Sequence, residues 1–517
     1  MALTEKEAVL EAEKKPVWHL DPDRRMSGIL VHPTSFPSPY GIGDMGQGAY
    51  DFIDFLKQTG QHLWQVLPLG PTGFGDSPYQ GPSAFAGQPL IISPDELKKV
   101  GLLTEEDLRD IPQWDDRKVD YGPAINYKNT LLRKAYAAFP KTTDVTMLED
   151  FDHFCDEEEA WLDDYALFMA LKDAHEGRCW LDWEKETRMP TAAAKKEWAA
   201  KLADEVRYYK FIQFIFQMQW TKLRDYAHEN DVAIIGDAPI FMSIDSSDVW
   251  ANKKFFQLDS TGHPTKVAGV PPDFFSATGQ LWGNPLYDWD VMKKDGYSWW
   301  IARIARQMKM VDFLRIDHFR GFEKYWAVPA DEDTAMNGKW VDGPAESLFL
   351  AIRKALGDDV QIIAEDLGVI TPQVEALRDM FAFPGMKVLQ FGYGDMNDHN
   401  YIPHYYTTPN CVCYTGTHDN DTTMGWYREQ PEIVKDRIRR IGNTDGSRVS
   451  LDFIRFAFAS IAKYAIFPIQ DLFCMDSDAR MNTPGVPAAN WCFRYVASDL
   501  NDERREWLKK TTEIFGR

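Results

Sequence analysis

The sequence predicts an α/β protein built as a (β/α)8 TIM barrel, with large inserted subdomains after strands 2 and 3 and no separate C-terminal β-domain. Three observations carry this expectation. Eight short apolar runs recur along the chain, helix-length segments separate most of them, and three of the runs end in carboxylates. Strand alternating with helix is the pattern of parallel β/α units. Barrels of this kind carry their chemistry at the C-terminal ends of the strands.

The apolar runs are 28–31, 62–67, 232–235, 313–316, 361–364, 388–391, 412–414 and 465–469. On the helix entering the third run, Phe211, Phe214, Ile215 and Met218 follow i, i+3, i+4, i+7, which gives that helix one apolar face. The spacing places the insertions. Roughly 160 residues separate the second and third runs, too many for one crossover helix. Residues from about 70 to 225 are therefore expected to form a mostly helical subdomain, with helices such as 131–139 and 161–175. A second, loop-rich subdomain is expected over about 241–310. It carries Phe274, Phe275 and Trp282 among prolines and glycines. That composition fits either a mobile flap that offers sugar platforms or a packed excursion with buried aromatics. Residues 1–27 are read as an N-terminal extension and 28–517 as the catalytic barrel.

Composition sets limits on function. The 79 acids outnumber the 57 bases, for a net charge of -22, which disfavours nucleic acid or an anionic membrane as partner. A neutral substrate fits better. Aromatic residues make up 14% of the chain, and Trp and Tyr faces suit sugar rings, although most of them will be core. No apolar run reaches the roughly 18 residues of a membrane span, and the first residues contain no signal-like apolar stretch. The six cysteines show no zinc-site spacing and are expected as reduced thiols. A cytoplasmic location is expected, or a plastid for a plant protein after loss of its transit peptide.

The most informative stretch is Phe313-Leu-Arg-Ile-Asp-His-Phe-Arg-Gly321. In a strand, Phe313, Arg315 and Asp317 share one face, so Arg315 would hold Asp317 ionised. A carboxylate kept charged there is a candidate nucleophile. The plain alternative is an ion pair that closes a strand. Two more runs weigh against it, one ending in Glu365-Asp366 and the other in His418-Asp419. Glycoside chemistry needs such a set: one carboxylate to attack the anomeric carbon, a second to protonate the departing oxygen, and an acceptor for sugar hydroxyls.

These stretches, together with Gly28-Ile-Leu-Val-His-Pro-Thr-Ser, Gly70 through Gly87, Arg480-Met-Asn-Thr-Pro-Gly485 and Asn490-Trp491, resemble glycoside hydrolase family 77. This is the 4-α-glucanotransferase family, also called amylomaltase or disproportionating enzyme, of the α-amylase clan. The resemblance covers nearly the whole chain. It implies Asp317 as nucleophile, Glu365 as acid/base and Asp419 as the group that stabilises the transition state. It further implies that Arg315 and His418 line the reacting subsite and that Tyr79 contacts the glucan. Asp237, in Gly236-Asp-Ala-Pro239, is placed near the site with either a hydrogen-bonding or a purely structural role. Phe274 stands where the family often has Tyr, so stacking on a sugar can persist there but a hydroxyl bond cannot. The expected activity is transfer of α-1,4-glucan segments to the 4-hydroxyl of an acceptor glucan or glucose. No metal or organic cofactor is expected. The rival reading is an α-amylase-type hydrolase using the same acids with water as acceptor. A glucan-binding protein without catalysis would be expected to lack at least one of these acids, and all three are present.

Overall fold

A computed structural model describes residue 21 and residues 24–272, 276–394, 399–486 and 489–517. Its strands, in chain order, are β1 (Met26–Leu30), β2 (Leu63–Gln65), β3 (Ala233–Pro239), β4 (Lys266–Val270), β5 (Gln280–Pro285), β6 (Phe313–Asp317), β7 (Lys324–Pro329), β8 (Lys339–Asp342), β9 (Ile362–Ala364), β10 (Gly385–Val388), β11 (Cys411–Tyr414) and β12 (Tyr464–Pro468). Eight of them form one sheet in the order β10-β11-β12-β1-β2-β3-β6-β9, and each recorded pairing within it is parallel. The two ends of this sheet approach each other, with Ala364 N–H donating to Pro384 O at 2.9 Å. The result is a nearly closed (β/α)8 barrel.

The interior shows which face of each strand turns inward. Phe313 on β6 meets Tyr464 on β12, with ring centroids 5.4 Å apart, although these strands are not neighbours in the sheet. Tyr414 on β11 likewise donates to Gln65 Oε1 on β2 at 2.8 Å. With period-two alternation, the inward Phe313 carries Arg315 and Asp317 with it, one layer at a time, toward the C-terminal mouth. β1 and β2 approach so closely that a Cβ at Gly28 would lie 2.0 Å from Leu63 O, so only glycine fits there.

Between β2 and β3 lie the helices Tyr121–Ala138, Val145–Glu157, Glu159–Ala174, Ala192–Lys201 and Ala203–Glu229. The last of these buries Phe211, Phe214 and Ile215 and packs Met218 partly against the core. Among the described residues, no helix is long and apolar enough to cross a membrane.

Three expectations need correction. The sixth apolar run is 388–391, but the strand is Gly385–Val388, and Leu389–Gly394 forms a helical turn. The apolar Leu389-Gln-Phe reads like a strand, whereas Gly385 and Lys387 interrupt the pattern of the true one, and short apolar runs do not distinguish the two states. The eighth strand ends at Pro468, and Ile469 begins a helix. The stretch 241–310 is not simply loop-rich. It supplies β4 and β5 to an antiparallel sheet of order β5-β4-β7-β8, whose other strands follow β6.

Candidate active site

Four barrel strands deliver polar side chains to one mouth. On β6, Arg315 is buried and forks between two acids, donating to Asp237 Oδ2 at 2.5 Å and to Asp317 Oδ1 at 2.9 Å. Asp237 comes from β3, where it pairs in register with Arg315, and its side chain is fully buried. Asp317 ends β6 and is partly exposed to the cleft. Burial opposes a charged guanidinium, yet Asp237 and Asp317 outweigh it and hold Arg315 firmly protonated. Burial also pushes the Asp237 carboxyl upward, against the pull of Arg315 and His418. Asp237 therefore supports the site from beneath, through Arg315 and through the Tyr79 hydroxyl, which donates to its Oδ2 at 2.8 Å.

Glu365 follows β9. Its Oε2 accepts the His318 N–H at 2.7 Å and its Oε1 accepts the Leu367 N–H at 2.8 Å. His318 adopts a left-handed conformation, with φ of 54°, as the chain leaves Asp317. Burial first, and the neighbouring Asp317 second, push the Glu365 carboxyl up to about 8, with Arg315 and the two N–H donors opposing. The adjacent Asp366 serves elsewhere, accepting the Met386 N–H at 2.7 Å and pairing with Arg378.

The third acid sits in the turn after β11. Asp419 Oδ1 accepts from Asn482 Nδ2 at 2.6 Å and lies 3.3 Å from His418 Nε2. The His418 ring stacks on Tyr79 at 5.2 Å, and Trp491 approaches Tyr79 at 5.7 Å and His418 at 6.0 Å. These rings form one wall of an open cleft that reaches Asp317, His418 and Asp419. Gln280, Trp282 and Asn284 of β5 line it from the small sheet, and the Trp282 ring meets His318 edge to face at 4.8 Å. Phe274 and Phe275 lie outside the described residues.

The structure thus brings together Asp317, Glu365, Asp419, Arg315, His418, Tyr79, Asp237 and Trp282. Sequence reasoning gave no site role to Asn482, Trp491, Gln280 or Asn284. A signal existed for the first two, because a barrel site draws on the loop after every strand, and both follow the eighth. Among the described residues, no group of three or more His, Cys, Asp and Glu is placed to hold a metal ion.

A (β/α)8 barrel whose mouth gathers an acid paired with an arginine, a second acid pushed up by burial and a polar aromatic cleft defines an enzyme of the kind that works on glycosidic bonds. The sequence relationships narrow this class. Residues 31–498 match the family model for 4-α-glucanotransferases, glycoside hydrolase family 77. The 4-α-glucanotransferase of Synechocystis is 49% identical over 96% of this chain and 98% of its own length. The one from Thermus thermophilus is 46% identical over 95% and 98%. The amylomaltase of Streptococcus agalactiae, solved in complex with acarbose, superposes with a TM-score of 0.92 at 39% identity, over 96% of this chain and 100% of that one. The chain belongs to the 4-α-glucanotransferase family.

Proposed function

We propose that the enzyme moves α-1,4-glucan segments between chains by a retaining double displacement, with Asp317 as nucleophile. Asp317 attacks the anomeric carbon while Glu365 gives its proton to the bridging oxygen, and a covalent glucosyl-enzyme forms as the first glucan leaves. Glu365, now a base, takes the proton of an incoming 4-hydroxyl, and a second inversion restores the α-linkage. Asp419 stabilises the positive charge that develops in each transition state. The observation that carries this reading is the contrast between two carboxyls on adjacent strands. Arg315 pairs with Asp317 at 2.9 Å, while burial and Asp317 push Glu365 up to about 8. Acid and nucleophile roles require such a separation.

The substrate is a neutral α-1,4-glucan, in keeping with the net charge of -22 and an aromatic cleft. No metal or organic cofactor enters the cycle, so chelators leave turnover unchanged. The six free thiols suit the reducing cytoplasm, or a plastid stroma. The hydrolytic alternative is not favoured, because the relatives above are named as transferases. Maltotriose decides the matter. Transfer releases glucose and builds longer maltooligosaccharides at a nearly constant number of reducing ends, whereas hydrolysis adds one end per event. A rise in reducing ends that matches substrate loss sinks the proposal.

A further inference from the structure

Asp471 lies just past the C-terminal end of β12, 1% exposed, and has no part in the chemistry above. Its carboxylate faces the turn that carries His418 and Asp419 and meets three donors there. Thr415 Oγ1 donates to Oδ2 at 2.6 Å, Thr423 Oγ1 donates to the same oxygen at 2.7 Å, and the Thr423 N–H donates to Oδ1 at 2.8 Å. Thr415 is the first residue after β11, and Thr423 opens the following helix. One buried carboxylate therefore fastens both ends of the segment 415–423.

The same segment is tied at its middle. Asn420 Oδ1 accepts from Thr417 N–H at 2.8 Å and from Thr417 Oγ1 at 2.9 Å. Arg480 Nη2 donates to Asp419 O at 2.6 Å, and Asn482 N–H donates to His418 O at 3.1 Å. Asn482 also holds the Asp419 carboxylate. Asp471, Arg480 and Asn482 all stand on the stretch after β12, so that stretch and the Asp419 turn form one hydrogen-bonded unit with Asp471 at its buried base.

We propose that Asp471 is a positioning residue for the reaction, which sets the place of Asp419 and His418 through Thr415 and Thr423. This rests on the reading of Asp419 as the transition-state group. The need is for hydrogen-bond partners rather than charge. Burial pushes the Asp471 carboxyl up to about 6, and the two threonine hydroxyls can turn to accept as well as donate. An asparagine with its oxygen on the Thr423 N–H and its amide on the hydroxyls satisfies the same three groups. An alanine satisfies none.

The test is steady-state disproportionation of maltotriose by Asp471→Ala, Asp471→Asn, Thr423→Val and Asp419→Asn, with thermal unfolding measured alongside. Misplacing a reacting group by about 1 Å costs on the order of 10²-fold. Asp471→Ala is therefore expected to lower kcat about 10²-fold with KM within about threefold, and Asp471→Asn to recover most of the loss. A purely structural role would lower the unfolding temperature without splitting kcat from KM. Wild-type kcat in folded Asp471→Ala, or equal impairment in Asp471→Asn, overturns the proposal. Where Asp471→Ala does not fold, Thr423→Val removes one of the three donors while keeping a similar shape. Wild-type kcat in that variant overturns the proposal equally. Asp419→Asn separates the two levels: a near-normal rate there refutes the role of Asp419 itself, whereas a crippled Asp419→Asn beside a normal Asp471→Ala refutes only the positioning.

Discussion

The peptide N–H of His318, the residue directly after Asp317, donates to Glu365 Oε2 at 2.7 Å. The proposed nucleophile and the proposed acid are thus linked through one peptide unit as well as through space. The left-handed turn at His318 aims that N–H across to the end of β9. The donor stabilises the ionised form of Glu365, yet burial and Asp317 outweigh it and the carboxyl stays high. The balance suits a group that must give a proton and take one back within a single cycle.

The roles of the two carboxyls are separable. Asp317→Asn keeps the size of the side chain and removes the nucleophile, so turnover of maltotriose falls to background while the fold survives. Glu365→Gln blocks protonation of a sugar leaving group, but a glycosyl fluoride donor needs no proton and still loads Asp317. Intact-mass measurement of Glu365→Gln with such a donor should show one added glycosyl unit. Wild-type rates in Asp317→Asn would remove it from the mechanism.

The raised pKa of Glu365 fixes two pH dependences. Donor cleavage needs the protonated acid, so kcat/KM for maltotriose declines as pH rises through about 8. Stability follows the same group. Between the ordinary glutamate value and about 8 the unfolded chain loses this proton while the folded one keeps it, so stability falls as pH rises across that window. Glu365→Gln has no proton to lose. Its unfolding temperature, compared with wild type, should gain more at pH 9 than at pH 4, and a constant difference would contradict the assignment.

Arg315 neutralises two acids, one of them fully buried. Replacing it with Met leaves Asp237 unpaired in the interior, and breaking a buried pair from one side costs about 3 to 5 kcal/mol. Adding Asp237→Asn removes the stranded charge, so the double variant should recover a good part of that stability. Activity should not return, because Asp317 still lacks its anchor. Urea unfolding and maltotriose turnover on the three proteins read the two effects apart, and full additivity of the stability losses would show that the pair is not coupled.

Asp317, Glu365 and Asp419 were legible because each stands at or just after the end of an apolar strand, where a turn residue would be ordinary. For Asn482 and Trp491 the sequence signalled only a loop after the eighth strand, since their contacts depend on the chain folding back after β12 to reach Asp419 and Tyr79. Asp471 stands in the helical turn after β12, and its donors are 48 and 56 residues earlier in the chain. The small sheet escaped notice for a related reason. β4 is Lys266-Val-Ala-Gly-Val270, too short and too small in side chains to declare itself, and β7, with which it pairs, lies beyond β6. Strand identity there is set by the partner rather than by local preference.

The proposed role of Trp282 is to decide how the glucosyl-enzyme is resolved. It lines the cleft from β5, and its ring stands against His318, the neighbour of the nucleophile. Water and a sugar hydroxyl compete for the same intermediate, and an aromatic face that holds an acceptor glucan raises its effective concentration while excluding solvent. Trp282→Ala removes that face but leaves Asp317, Glu365 and Asp419 in place. Loading of the enzyme by a glycosyl fluoride should therefore stay near wild type, while the share of turnovers that add a reducing end from maltotriose should rise several-fold. Phe274 and Phe275 belong to the same inserted stretch and are expected to act in the same direction when replaced by Ala. An unchanged transfer-to-hydrolysis ratio in Trp282→Ala would mean that acceptor choice is made elsewhere along the cleft, with the wall of Tyr79, His418 and Trp491 the next place to look.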